Sequence, residues 1–334
     1  MGFNIAIVGA SGAVGQELVR LLSLREFPVN KLSLFTSPRS AGKQISTPFG
    51  VIDTQVFEPE KLEGYDFAFF ATSGGHAKQF APEVAKLGVV VIDNSSAFRL
   101  DEKVPLIVPE VNPQEVSKHQ GIIANPNCST IQMVVALNPL HKVSPITRIN
   151  VSTYQAVSGA GTEAIEELKN QLEDQLAGKE ISCNKFTKPI AFNLIPHIDL
   201  FQDNGYTKEE MKMVYETHKI MGDDSIKISA TCVRVPVIRA HSEAISIETK
   251  EPISVEKAHE IFKQSKGIQL IDERQDGGYP TPLEASEMMD TFVGRVRKDI
   301  SCDNGLALWC VADQLWKGAA LNAIQIAELL INED

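Results

Sequence analysis

The chain of 334 residues carries 32 Lys and Arg against 43 Asp and Glu, a formal charge of −11, with 43% hydrophobic and 22% charged residues. That supplies core for one large or two ordinary domains and leaves too little charge excess for a disordered chain. An acidic surface repels nucleic acid and anionic membrane unless cations are segregated; no basic patch is visible, so neither partner is expected. Five scattered cysteines (Cys128, Cys183, Cys232, Cys302 and Cys310) include no CxxC pair and no His at ligand spacing, which argues against a disulfide framework or a metal site. The N-terminal MGFNIAIVGA lacks a signal peptide's basic stretch, and no apolar run approaches the ~20 residues of a membrane span, so a cytoplasmic protein is expected.

In chain order, strand-like runs alternate with helical patterns: a strand at Asn4 to Val8, a helix at Gly12 to Leu24, strands at Leu32 to Thr36 and Asp66 to Thr72, a helix at Gly75 to Leu87, and strands at Val89 to Asp93 and Ile122 to Ala124. Such alternation predicts a parallel sheet covered on both faces. From about Ile146 the strands lengthen, at Ile146 to Ala156, Ile226 to Pro236 and His241 to Thr249, with helices at Thr162 to Leu176 and Lys208 to Met221, which predicts an α+β domain with a large sheet. The Ala-rich helical pattern from Gln314 to Leu330 is expected to return to the first domain. The domains are then residues 1–127 plus 314–334, and residues 128–313.

Gly9-Ala10-Ser11-Gly12-Ala13-Val14-Gly15 runs from the first strand into the first helix, where backbone N–H groups at a helix N-terminus can hold a pyrophosphate. Where the next strand ends, an NAD enzyme usually offers an acid to the ribose; here stand Ser37, Arg39 and Ser40, a hydroxyl–Arg–hydroxyl set that suits a 2′-phosphate, so NADP is the expected cofactor. Cys128, in Asn125-Pro126-Asn127-Cys128-Ser129-Thr130, follows a strand and opens an apolar helix whose N-terminus favours a thiolate. It is the candidate nucleophile, and the other four cysteines read as small core hydrophobes. Spacing alone leaves His241 and Arg234 open between structural and catalytic roles, Arg99 between an anion site and a salt bridge, and Ser158-Gly159 between cofactor contact and helix capping.

GASGAVGQE at Gly9 to Glu17, SSAFR at Ser95 to Arg99, NPNCST at Asn125 to Thr130, YQAVSGAG at Tyr154 to Gly161, EEMK at Glu209 to Lys212 and RVPVIRAHSEA at Arg234 to Ala244 together resemble the aspartate-β-semialdehyde dehydrogenase family over nearly the whole chain. The resemblance implies a Rossmann-type NADP-binding domain joined to an α+β catalytic and dimerisation domain like the C-terminal domain of glyceraldehyde-3-phosphate dehydrogenase. It also implies a homodimer acting on a small-molecule substrate and inorganic phosphate. On this resemblance Cys128 forms a thiohemiacetal and then a thioester, His241 is the acid/base, and Gln155 positions the acyl group. Arg234 grips the substrate carboxylate, Glu209 meets its ammonium, and Arg99 and Lys212 bind phosphate. The cofactor is assigned to Gly9, Ser11, Gly12, Ala13, Val14, Gly15, Ser37, Arg39, Ser40, Ser158, Gly159 and Gln314. The implied reaction reduces β-aspartyl phosphate to the semialdehyde, toward lysine, threonine and methionine. Three alternatives stay open: N-acetyl-γ-glutamyl-phosphate reductase, whose nucleophile is typically flanked by Gly and Tyr where this chain has Asn127 and Ser129; an acyl-CoA reductase; and a non-catalytic NADP-binding relative.

Overall fold

The computed structural model describes residues 2–331. These divide into two compact units, one running to Asn127 and resuming at Gly318, the other Cys128–Lys317. Met1 and residues 332–334, part of the expected first domain, lie outside the described residues.

The first unit opens with β1 (Phe3–Val8), α1 (Ala13–Leu24) and β2 (Val29–Thr36), continues through β3 (Gln44–Thr47), β4 (Gly50–Val56) and β5 (Phe67–Phe70), and reaches α2 (Gly74–Ala85), β6 (Val90–Asp93) and β7 (Ile122–Ala124). Its seven strands lie in the order β3-β4-β2-β1-β5-β6-β7, all parallel except the β3–β4 pair. The order runs outward in both directions from β1, which makes the carboxyl ends of β1 and β5 the topological switch point where open sheets bind ligands. α1 buries Leu18, Val19, Leu21 and Leu22, the spacing of an amphipathic stripe, against this sheet. The β3–β4 hairpin escaped the sequence reading because its residues alternate weakly and stay largely exposed at the sheet edge.

In the second unit come α3 (Cys128–Val143), β8 (Ile146–Gln155), α4 (Thr162–Leu176), α5 (Lys208–Met221), β9 (Lys227–Arg234), β10 (His241–Thr249), α6 (Val255–Gln264), β11 (Ile268–Leu270), α7 (Pro282–Ala285), β12 (Thr291–Lys298) and β13 (Gly305–Ala312). They form a six-stranded sheet ordered β11-β12-β13-β10-β8-β9. One face of it packs on α3, which is buried on nearly every side because α5 and α6 cover it from beyond. The core there includes Met133, Leu137, Ile149, Val151, Ile245, Ile247, Phe262 and Leu308. On the other face Ser152, Tyr154, Ala244, Ser246 and Trp309 are only partly buried.

The chain then re-enters the first unit. The expected helix from Gln314 is shorter: a π-helical turn at Trp316–Ala320 leads into α8 (Leu321–Ile331), and Gln314 stands before both, within the second unit. Asp313 caps the turn that begins there, its Oδ1 accepting the N–H groups of Leu315 and Trp316. α8 packs on α1 and is tied to it by Arg25, whose Nε and Nη2 donate to Glu328 at 2.6 Å each.

Within the second sheet a carboxyl group interrupts the apolar face. Glu243 on β10 points to the α3 face, is fully buried, and pairs in register with Thr153 and Cys310. The Gln132 amide is nearby, yet neither carboxyl oxygen closes a hydrogen bond, and burial pushes the carboxyl well above its usual range. A glutamate protonated in the folded state but ionised in the unfolded chain lowers stability as pH rises above about 4.5. Glu243→Gln, the neutral isostere, is therefore expected to stabilise the protein near pH 8, with the gain fading toward pH 4. Thermal melts of both proteins across that range check this; a pH-independent difference would contradict it.

Candidate active site

The first unit presents its turns at the carboxyl ends of the parallel strands. After β1, Gly9 adopts φ +92°, and a Cβ there would fall 2.3 Å from Ala71 O. At Gly15 a Cβ would fall 2.3 Å from Gly9 O and 2.7 Å from Ala10 Cα, so only glycine lets α1 pack this close to the turn. Gly12 differs. It is exposed at the N-cap of α1, has no side-chain cap, and a Cβ there would come no nearer to protein than 3.4 Å. The fold thus demands Gly9 and Gly15, while Gly12, beside exposed Ser11 and half-buried Ala13 and Val14, leaves the cradle open in the way a pyrophosphate requires. After β2, a turn closed by Ser40 N–H donating to Ser37 O at 2.9 Å carries the exposed Arg39, and no acid ends the strand. The residues present fit a dinucleotide.

Arg99 also lies in this unit, 8% exposed, with Nε donating to Asn125 O and Nη2 to Asn94 O, each at 2.9 Å. It clamps the backbone that follows β6 and β7. Asn125 is tied in turn to Asn94 Oδ1, Ala319 O and Asn322, so the segment leading to Cys128 is held from several directions.

The second unit gathers most of the remaining residues at one end of its sheet. Strand register does this: Gln155 pairs with Arg234, and Ser242 pairs with Tyr154, which sets His241 beside Gln155. The row Arg234–Gln155–His241 lies on the α3 face, where all three are buried. Cys128 is the first residue of α3, half-buried, and near enough to Arg234 to help keep the guanidinium charged against its burial, as Glu209 does. The Arg234 guanidinium donates to Ala156 O at 2.6 Å.

His241 is fully buried, and its Nδ1 accepts the Ala156 N–H at 3.0 Å. A neutral ring held that way carries its proton on Nε2, the nitrogen left without a partner. Burial, with Arg234 adding to it, pushes the imidazolium down to about 3. The ring is therefore neutral at physiological pH and offers a donor. An imidazole already protonated at its free nitrogen can donate a hydrogen bond there.

Glu209 comes from the first turn of α5, whose start is fixed by a capping box between Thr207 and Glu210. Its Oε1 accepts Gln155 Nε2 at 3.1 Å, and Gln155 Oε1 accepts Thr153 Oγ1 at 3.0 Å. Lys212, one turn along, donates to Glu209 Oε2 and to Asp199 Oδ2 at 2.9 Å each. Burial pushes the Lys212 ammonium down, but the two carboxylates overcome this and its pKa is raised. The turn after β8 brings in Gly159, where a Cβ would meet Arg234 Nη1 and His241 Cε1 and Nε2, all at 3.1 Å. Buried Ser158 is bonded by Gln314 Nε2, while Gln314 Oε1 accepts Ala240 N–H at 2.7 Å.

Thus Cys128, Gln155, Ser158, Gly159, Glu209, Lys212, Arg234, His241 and Gln314 belong to the second unit, and the glycine turn, Ser37, Arg39, Ser40 and Arg99 to the first. Sequence reasoning missed Thr153, readable as the strand neighbour two before Gln155, and Asp199, which lies in an irregular segment with no periodic signal. It also misplaced two cysteines: Cys232 and Cys310 are buried as expected, but Cys183 is exposed and Cys302 only partly covered, since both lie in loops.

A dinucleotide fold continued in sequence by a thiol-bearing α+β unit is the architecture of the semialdehyde dehydrogenases, and both of that family's domain models match. Residues 4–119 match "Semialdehyde dehydrogenase, NAD binding domain" and residues 137–317 match "Semialdehyde dehydrogenase, dimerisation domain". The chain is 53% identical to an aspartate-semialdehyde dehydrogenase of Aquifex aeolicus, covering 100% of this chain and 99% of that protein. It is 50% identical to one of Synechocystis, covering 98% and 97%. A crystal structure of aspartate semialdehyde dehydrogenase II from Vibrio cholerae complexed with ASA superposes with a TM-score of 0.96 at 48% identity over 99% of both chains. The chain belongs to the aspartate-semialdehyde dehydrogenase family, with the two-domain fold that its motifs implied.

A methyl group at Gly159 would press on the two side chains that line this site. Gly159→Ala is expected to lower kcat/KM, by less than the ~10²-fold that a full ångström of misplacement can cost, with little loss of melting temperature, since these two side chains would have to give by a few tenths of an ångström. Kinetics and melting on one preparation check this; near-normal turnover would mean that Arg234 and His241 yield freely.

Proposed function

We propose that the protein interconverts L-aspartate 4-semialdehyde and L-4-aspartyl phosphate with NADP, through a thioester on Cys128, and runs reductively in the cell toward lysine, threonine and methionine. The observation that carries this reading is the buried row of Arg234, Gln155 and His241 beside a half-buried thiol at a helix N-terminus, with the Glu209 carboxylate facing it. A planar guanidinium suits the substrate's α-carboxylate, and Glu209 suits a free ammonium, which an N-acetylated substrate lacks.

The Cys128 thiol loses its proton to solvent, favoured by the α3 N-terminus and by Arg234, and the thiolate attacks C4 of the semialdehyde. As the carbonyl oxygen becomes an oxyanion, His241 donates its Nε2–H to it. Bound NADP supplies the hydride acceptor, and Gly9, Ser11 to Val14 and Gly15 would hold its pyrophosphate, with Ser37, Arg39 and Ser40 at the 2′-phosphate. Once C4 has lost hydride, the oxyanion's electron pair restores the carbonyl and leaves a thioester that Gln155 positions. Phosphate, received by Lys212 and Arg99, attacks this carbonyl carbon and expels the thiolate, giving the acyl phosphate. No proton needs to pass through His241 in these steps. The half-exposed face of the second sheet is the surface proposed for a homodimer, in keeping with the dimerisation domain to which it belongs, and the cytoplasm is the proposed compartment.

The test is NADPH formation from the semialdehyde and NADP+, with and without phosphate. Sustained turnover that needs phosphate is expected; turnover driven by coenzyme A instead would favour an acyl-CoA reductase, and none at all a non-catalytic relative. Loss of a charge-assisted contact is worth ~1.5–3 kcal/mol, so Arg39→Ala should raise the NADP KM by one to two orders of magnitude, roughly, and leave NAD nearly unchanged. An equal loss for NAD would make Arg39 structural. His241→Asn should lower kcat by ~10²–10³-fold, the effect of removing one oxyanion donor. The acidic limb of its pH–rate profile should persist, because the buried imidazole, pushed down to about 3, does not titrate there. A limb that disappears with His241 would return the ring to proton transfer.

A further inference from the structure

The Lys212 ammonium is shared by two carboxylates of unequal mobility. Glu209 is fixed: its side chain is 7% exposed, and its other oxygen is held by Gln155, itself locked by Thr153. Asp199 is not. Its side chain is 30% exposed, against 18% for Lys212, and its other oxygen accepts only the adjacent Leu200 N–H, at 2.9 Å. It occupies a short arch without regular structure. One foot is Ile195, joined to Arg234 by two backbone hydrogen bonds of 2.8 and 3.0 Å; the other is the bridge between Phe201 and Thr207. Asp199 itself sits at φ +68°, a left-handed conformation that a non-glycine residue adopts at some cost.

Charge counting shows what the arch does to an incoming anion. Lys212 is fully countered by its two carboxylates, with Lys208 and Arg234 as the nearby cations; withdrawing Asp199 makes the local charge one unit more positive and opens one face of the ammonium. Glu209 cannot be the partner that leaves without also releasing Gln155. We propose that Asp199 is a determinant of phosphate affinity: its carboxylate holds Lys212 when phosphate is absent, is displaced when phosphate binds, and by returning helps phosphate leave. This rests on the placement of phosphate at Lys212 proposed above. In the reductive direction phosphate is a product, and a tethered anion that takes back its cation weakens product retention without leaving a buried ammonium unpaired.

The experiment varies phosphate at saturating semialdehyde and NADP+ for wild type, Asp199→Asn, Lys212→Ala and the double variant. Asparagine keeps the carbonyl oxygen that accepts Leu200 N–H and removes the charge. Asp199→Asn is expected to lower the phosphate KM roughly 5- to 10-fold, the effect of deleting a partly buried competing ion pair, while the semialdehyde KM and the melting temperature stay unchanged. Lys212→Ala is expected to raise the phosphate KM, and adding Asp199→Asn to it to change nothing further. A phosphate KM that is unchanged or raised in Asp199→Asn, alongside a Lys212→Ala defect, overturns the proposal and makes Asp199 a support for Lys212. A phosphate KM unaffected by Lys212→Ala overturns the placement of phosphate there and this inference with it.

Discussion

A guanidinium, a carboxylate and an imidazole can share a site nearly closed to water only if each charge is met by a neighbour, because an isolated buried ion is too unfavourable to keep. Arg234 is 6% exposed and remains a cation because Glu209 and Cys128 oppose its desolvation. The Glu209 carboxyl is met by Gln155 and Lys212 and lies close enough to Arg234 to act on it. His241 has no such anion bound to it and is simply neutral. The rest of the second unit can be understood as the frame that keeps this set together: a sheet whose register aligns Arg234, Gln155 and His241, a capping box that fixes where α5 begins, and a helix whose first residue is the thiol.

In the proposed reaction that arrangement also bears on the chemistry. A thiolate at a helix N-terminus needs no dedicated base if its proton is lost before the substrate arrives, and an oxyanion that forms and collapses on one carbon needs a donor more than it needs a proton. The Ala156 N–H on His241 Nδ1 enforces that choice by holding the ring's proton on the opposite nitrogen. On that proposal transition-state charge would be stabilised by a dipole already in place, without reorganisation during the reaction.

Much of this was legible in the sequence where period, caps and glycines agree. β7, β10, α4 and α5 occupy the residues that periodicity assigned to them. The Gly9 to Gly15 turn announced itself because the close approach of Ala71 at Gly9 and of the turn itself at Gly15 permits no side chain at two of its three glycines. What escaped notice lacks a local signal. β13, Gly305–Ala312, is a continuous apolar run that reads equally as a buried helix, and it leads directly into an Ala-rich helical stretch. Within the site, motif resemblance supplied the residues of the buried row, but not the hydrogen bond that sets the tautomer of His241. Neither could it supply Asp199, whose importance lies in meeting Lys212 across 13 residues of chain.

The central claim is that the acyl group is carried on Cys128 while a neutral His241 supports the oxyanion, and phosphate is needed only to release it. Mass spectrometry of protein mixed with the semialdehyde and NADP+ in phosphate-free buffer tests this most directly. The account predicts an acyl adduct on the Cys128 peptide, formed together with about one equivalent of NADPH per active site and discharged when phosphate is added. NADPH released continuously without phosphate, or an adduct on any other cysteine, would contradict it.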